Sequence, residues 1–395
     1  MNFFGTSTQN RNWLKNELEL HKLQEKKTKA IINRIIKLNE KTKKEIEEIQ
    51  TKNPGSKTPD DLEQKMIHTS KIKFLKEEKH LILHFTKKIL NLLNKKINSR
   101  SLKTYALTYY RRFFLKKSCL DYNPEFMLFA CIFLGGKVAQ VNLNLNKMDE
   151  LIPMLKEEGN HSNLLYYEFY LSTILGYDFY VFNPYKALIG FIYQLEKKNY
   201  FDNLNINKSD FENECENFID NSFLTDIIFL YSYSYISLSS IYLTVEKFNL
   251  DINIIIQLLN LNSSILDKFN DIYIKIKDEL NSININEEEV KNVMKGIKHF
   301  SKKYPHYIQQ LEQERNKLLT KMNDFSINLN NLEYPNNNNI NNNHINNNNN
   351  NRINTERNGE IINNNINNNN IYENNLEYLQ NKRERTSPII NNPPQ

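Results

Sequence analysis

Between Glu125 and Lys147 a single side chain is charged, Lys137, within the run Phe126-Met-Leu-Phe-Ala-Cys-Ile-Phe-Leu-Gly-Gly-Lys-Val-Ala-Gln. Between Glu158 and Asp178 the only one is Glu168, within Leu164-Leu-Tyr-Tyr-Glu-Phe-Tyr-Leu-Ser-Thr-Ile-Leu-Gly-Tyr. Each stretch is long enough for a helix and apolar nearly all round, so each has to be buried among other elements. A charge in such a helix is costly unless it pairs or faces something outside the fold. Two opposite lone charges on neighbouring buried helices leave two outcomes open. They form an internal ion pair, or they make one polar spot in an apolar surface that meets a partner.

The helices around them are expected from what is scarce. The 395 residues include 9 Gly and 10 Pro, and the rest is dominated by long Leu/Ile/Lys/Glu stretches. Few breakers in such a background predict an all-α protein. Leu81, Phe85, Ile89 and Leu92/Leu93 mark one face of a helix over about 72–96, and Leu102 to Lys117 a second. Asn123-Pro124 opens a third, with Asn as N-cap and Pro at the first helical position. A short fourth covers about 146–156 and a fifth 162–177. Asn183-Pro184 repeats the start signal. Ser209-x-x-Glu212 reads as a capping box opening the next long helix. Another helix runs over about 232–248, two more to about 280, and a charged amphipathic helix over 286–303 continues past Pro305 to about 325. Two successive blocks of about five helices, each near 100 residues, predict a tandem repeat of one domain.

The organisation expected is therefore an N-terminal helix over 1–35, a charged insert or linker over 36–66, a first repeat over 67–180, a second over 181–282, C-terminal helices over 283–326, and a disordered tail over 327–395. The insert is Lys/Glu-rich, contains Asn53-Pro-Gly-Ser and Thr58-Pro, and reads as exposed with a helical first part. The tail carries Asn tracts at 336–339, 346–351 and 367–370. Such a segment has too little apolar surface to offset the entropy of ordering. Near its end, Lys382-Arg-Glu-Arg385 is followed by Ser387-Pro388, which offers Ser387 as a proline-directed phosphosite. A phosphate there would partly cancel the adjacent cluster.

Several chemistries are excluded. Gly135-Gly136-Lys137 has Cys131 where a phosphate loop needs its first Gly, and no Ser or Thr follows the lysine. His80 and His84 have a metal-ligand spacing, but no Glu follows His80 and only Glu77 lies near, so no metal site is expected. No acid–base pair supports enzyme chemistry, and no cofactor is expected. Tyr105, Tyr109 and Tyr110 beside Arg111, Arg112, Lys116 and Lys117 could bind nucleic acid, but helix packing accounts for them better. A net charge of +6 is weak and diffuse. No apolar run is convincing as a membrane span, and the first residues lack a basic-plus-apolar signal pattern. Cys119, Cys131 and Cys215 have no metal spacing; Cys131 is expected in the core, and a reducing compartment fits.

The ordered set Tyr109-Tyr-Arg-Arg-Phe-Phe, Cys131-Ile-Phe-Leu-Gly-Gly-Lys-Val and Tyr167-Glu-Phe-Tyr-Leu, with Leu175-Gly-Tyr-Asp-Phe179, resembles the cyclin box. Within that family the chain is most similar to the cyclin H branch. The similarity there is carried by Ser7-Thr-Gln-Asn-Arg-Asn-Trp13, Asn183-Pro-Tyr-Lys-Ala-Leu-Ile-Gly-Phe191, Phe218 to Tyr231, and Val293 to Tyr304. It covers about 7–35 and 67–305. The resemblance implies a double cyclin box with flanking helices, and a non-catalytic regulatory subunit of a cyclin-dependent kinase. It implies that Lys137 and Glu168 form the polar centre of the kinase-gripping face. It further implies a CDK-activating kinase, a RING-finger assembly factor, the TFIIH core and the nucleus. The partner kinase's outputs would be phosphorylation of cell-cycle kinases and of the RNA polymerase II C-terminal domain. Many cyclins carry acids just after the lysine, where this chain has Ala139-Gln140. Two alternatives stay open, a cyclin C-like Mediator subunit and a TFIIB-like DNA-binding cyclin fold. The latter would want a cysteine-rich ribbon, and residues 1–66 contain no Cys. Trp13, Leu14, Leu18 and Phe300 are expected to anchor the terminal helices, as large apolar residues on otherwise charged helices.

Overall fold

Asparagine does the work that glycine does in most helical chains. The computed structural model describes residues 4–52, 62, 64–157, 160–204, 206–261, 263–317 and 320, all within one unit over 1–327. In it, Asn123, Asn144, Asn183, Asn207 and Asn286 each accept a backbone N–H bond at the start of a helix. Asn98, Asn199, Asn249 and Asn260 close helices in the left-handed region, at φ 45°, 56°, 54° and 52°. Few glycines are needed because Asn tolerates that conformation.

Among the described residues all regular elements are helical. After a single wide turn at Gln9–Trp13 comes α1 (Glu17–Lys52). A 3₁₀ segment at Thr69–Glu77 leads into a first set: α2 (Glu78–Lys96), α3 (Arg100–Lys116), α4 (Pro124–Val138), short α5 (Leu145–Leu151) and α6 (Asn160–Leu175). A second set follows: α7 (Pro184–Lys197), short α8 (Tyr200–Leu204), α9 (Lys208–Ser222), short α10 (Ile227–Leu230), α11 (Tyr233–Lys247), α12 (Ile252–Leu258) and α13 (Ser263–Asn281). Then come α14 (Glu287–Lys303) and α15 (305–317).

Each set is built round one enclosed helix. In the first, α3 packs on α2, α4 and α6; in the second, α11 packs on α7, α9 and α13. Both central helices bury residues on every side, from Leu102 to Phe114 and from Ile236 to Val245. That is why neither reads as amphipathic.

Several boundaries differ from those expected. The first part of the insert is helical as expected, but it continues α1 unbroken from residue 35 to Lys52 and is not fully exposed, with Leu38 and Thr42 buried. The side chain of Asn39 bonds both the N–H and the carbonyl of Ile67, at 2.9 and 2.8 Å, so the start of the insert is tied to its end. Residues 53–61 lie outside the described residues. The α2 helix starts at Glu78 rather than 72, after the 3₁₀ segment. The capping box at Ser209 and Glu212 does not form, because Asn207 caps α9 two residues earlier. The C-terminal helix is broken at Tyr304, since the N–H-less Pro305 starts α15 instead of continuing α14. The Asn-rich tail and its expected disorder lie outside the described residues.

The helices flanking the two sets dock on the first. α1 packs on α3, and α14 packs on α2 and the 3₁₀ segment. A Cβ at Gly296 would come within 2.5 Å of the Phe74 ring, so glycine lets α14 seat there. Ile31, Ile35, Leu38, Ile67, Ile72, Leu120, Phe300, Tyr304 and Tyr307 form a second core beside the main one. Two ion pairs pin α1 into it, Lys27–Glu78 at 2.6 Å and Arg34–Asp121 at 3.0 Å. Tyr307 of α15 joins the latter, donating to Asp121 at 2.8 Å and accepting from Arg34 at 2.9 Å.

Candidate functional site

The two lone charges meet. Lys137, one residue before the end of α4, places Nζ 2.8 Å from Oε1 and 3.0 Å from Oε2 of Glu168 on α6. The Glu168 side chain is fully buried, whereas that of Lys137 is 24% exposed. The Phe133 ring lies 4.1 Å below the ammonium, one turn back on α4. Around the pair, Val138, Ala139, Leu165, Tyr166 and Phe169 are half-buried. The internal ion pair forms, and Lys137 keeps part of its side chain in solvent. Glu168 holds the ammonium in place, and an incoming carbonyl or carboxylate can approach the exposed side of Lys137.

The adjacent glycines position this face. A Cβ at Gly135 would stand 3.1 Å from the Ala106 backbone nitrogen of α3, so glycine lets α4 press on the central helix. At Gly136 it would stand 2.7 Å from Leu143, in the chain that returns under the end of α4. Gly135-Gly136 is thus helix-packing surface. Gln140 closes the end of the helix at φ 58°; it is exposed, and Ala139 is half-buried.

A second constellation forms round Trp13. The indole is 4% exposed and lies over the Arg112 guanidinium at 4.5 Å and the Lys116 ammonium at 4.0 Å. Its Nε1 donates to Asp178 at 3.1 Å, and Thr8 donates to the other Asp178 oxygen at 2.6 Å. Gln9 accepts from the Phe182 N–H at 2.7 Å, and the Lys15 N–H donates to the Phe229 carbonyl at 2.8 Å. The segment before α1 therefore straps the first set, the link between sets and α10 of the second. Burial pushes the Arg112 guanidinium below its ordinary value, against the pull of Tyr233 and Asp178. Trp13→Ala is expected to lower stability by about 3–5 kcal/mol, read by chemical denaturation, because it opens a cavity over a buried cation.

The other anchors divide. Phe300 is buried, with its ring edge-on to Tyr307 at 5.2 Å. Leu14 is half-buried. Leu18 is a correction: it is 62% exposed, and Leu20, at 6%, faces the core instead. A two-residue error on a helix turns the side chain through about 200°. Ser387 lies outside the described residues.

Of the basic–aromatic stripe, Tyr109, Tyr110, Arg111 and Arg112 are buried, Tyr105 and Lys117 are half-buried and Lys116 is exposed. Arg111 is 5% exposed and donates to the carbonyls of Phe223 and Thr225 and to Asp226. His80 accepts from the Asn286 N–H at 3.3 Å and His84 lies 3.4 Å from Glu287, so these histidines meet the start of α14. Among the described residues no cluster of three or more His, Cys, Asp or Glu could hold a metal ion, and no helix is long and apolar enough to cross a membrane. All three cysteines are buried; burial pushes the Cys119 and Cys131 thiols well up and the Cys215 thiol up to about 12, so all three are unreactive.

Sequence reasoning missed the polar joints between the helical sets. Lys103 of α3, 2% exposed, pairs with Asp220 of α9 at 3.0 Å, and Tyr185 and Asn94 also donate to Asp220. Arg100 pairs with Glu212 at 2.8 Å and with Glu216. Lys103 does sit among apolar neighbours in the α3 run, but its partner is 117 residues away.

The cyclin C-terminal domain family matches residues 183–323, starting on the N-cap of α7. Cyclin-H of Xenopus laevis is 26% identical over 181 residues, 44% of this chain and 54% of that protein. Cyclin mcs2 of Schizosaccharomyces pombe is 28% identical over 36% of this chain and 43% of that one. The chain thus matches about half the length of these relatives or less. A chain in the structure of the CAK complex from Chaetomium thermophilum bound to ATP-gamma-S shares the fold, with a TM-score of 0.53, 19% identity, and coverage of 80% of this chain and 88% of that one.

Proposed function

We propose that the chain is a cyclin, most like cyclin H, and that it is a non-catalytic subunit that binds and activates a cyclin-dependent kinase. The observation that carries the reading is the Lys137–Glu168 pair, rigidly held at the edge of α4 and α6 with its lysine open on an apolar rim. A rigid face of this kind activates by population shift. It binds the active placement of the kinase's regulatory helix better than the inactive one, which aligns the kinase's own Lys–Glu pair. The activated kinase would be a CDK-activating kinase acting in the nucleus on cell-cycle kinases and the RNA polymerase II C-terminal domain. A RING-finger assembly factor and the TFIIH core would be its further partners.

The terminal helices fit the reading because both rest on the set that carries the pair. The test is to purify the tagged chain with its bound polypeptides, identify the kinase, and measure its activity with and without the chain. Recovery of a cyclin-dependent kinase, activated at least tenfold, is the expected result. Deleting residues 1–30 is expected to lower that activation, since it removes Trp13 and Lys27 from the first set. Copurification of no kinase would end the proposal.

A further inference from the structure

The α7 helix buries Pro184, Tyr185, Leu188, Ile192 and Leu195 on one side. On the opposite side Lys186, Ile189, Gly190, Tyr193 and Lys197 fall within a stripe about 100° wide. Ile189 is 43% exposed and Tyr193 54% exposed, so this helix turns apolar surface to both core and solvent. Lys197 lies 4.8 Å above the Tyr193 ring.

Gly190 at the centre of the stripe is the unusual residue. It sits inside the helix with no positive φ, where glycine is destabilising relative to alanine. A Cβ there would meet nothing within 4 Å. The helical glycines at 135, 136 and 296 each face a neighbour inside 3.2 Å; Gly190 faces open space. Among the described residues nothing calls for a missing side chain at this point.

We propose that this stripe is a docking face for a helix of another polypeptide, whose backbone passes close over Gly190 between Ile189 and Tyr193. Charge defines the occupant further. Lys186 and Lys197 stand at the two ends of the stripe, roughly 16 Å apart along the axis at the helical rise. The complement is a helix of about three turns, apolar or small-sided in the middle and acidic toward both ends. Two large side chains make a small interface, so the contact adds to an assembly already joined elsewhere. It lies on different helices from the Lys137–Glu168 pair and does not rest on the kinase reading.

The test places a benzoylphenylalanine photo-crosslinker at position 193 of the full chain, expressed in its native cells and irradiated within its assembly. Crosslinks are expected to map to one acid-flanked helical segment of a copurifying protein. Gly190→Leu and the pair Lys186→Glu with Lys197→Glu should each cut the yield at least fivefold. Gly190→Ala should raise the melting midpoint of the isolated chain. The proposal is overturned if crosslinks reach only this chain, a second copy, nucleic acid or lipid, or if charge reversal leaves the yield unchanged. It is equally overturned if Gly190→Ala lowers the midpoint, because the fold itself would then require the glycine.

Discussion

Replacing Lys137 and Glu168 together by alanine is expected to abolish capture of the kinase while leaving the helical content intact. The argument turns on the unequal burial of the pair. Lys137→Ala alone leaves the fully buried Glu168 carboxylate without its ion pair, and breaking a buried pair from one side costs about 3–5 kcal/mol. Glu168→Ala alone leaves an ammonium that already reaches solvent, and a flexible lysine can turn outward, so its cost is about 1–2 kcal/mol. The double variant removes both charges and should be more stable than Lys137→Ala. Binding should follow a different order. If the pair is the polar centre of the interface, losing it costs about 2 kcal/mol or more, at least a thirtyfold weakening. Denaturant melts of the three variants, beside titration with the purified kinase, separate the two orders. A double variant that captures kinase with unchanged affinity would show that the bridge is purely structural.

The second large effect is expected at the joint between the helical sets. Asp220→Ala should destabilise the chain by about 3–5 kcal/mol, because it strands the Lys103 ammonium at 2% exposure. What remains beside it is the Tyr185 ring, 4.8 Å from Nζ. Replacing both partners with apolar residues, Lys103→Met with Asp220→Leu, should recover most of that loss, since the desolvation of both charges disappears with the pair. Calorimetry on the three proteins decides it. A double variant as unstable as Asp220→Ala would mean that the charges contribute net stability beyond their own desolvation.

The local parts of this fold were legible in the chain for local reasons. Asn123-Pro124 and Asn183-Pro184 announce helix starts because a cap bonds a backbone N–H two or three residues on, and no distant residue is needed. The burial of α4 was equally plain, because nearly every side chain in that run is apolar; α6 is buried on one side only, with Leu165, Tyr166, Tyr167 and Phe169 half-buried. Where two local signals compete, the reading fails. Ser209 and Glu212 satisfy a capping pattern, but Asn207 caps first. Leu18 and Leu20 are both leucines on one charged helix, and only the position of the neighbouring α3 decides which is covered.

By itself, then, the sequence determined the all-helical class, the burial of α4 and the presence of two lone charges that had to be accounted for. The tertiary structure alone decided that those charges meet, that Glu168 is sealed while Lys137 stays open, and that Lys103 finds Asp220 from 117 residues away. It alone showed that Gly135 and Gly296 are contact surfaces and Gly190 is not. The division is physical. Helix formation and capping depend on neighbours within about four residues. Pairing of buried charges and close backbone approach depend on which surfaces the packed helices bring together, and no short stretch of chain carries that information.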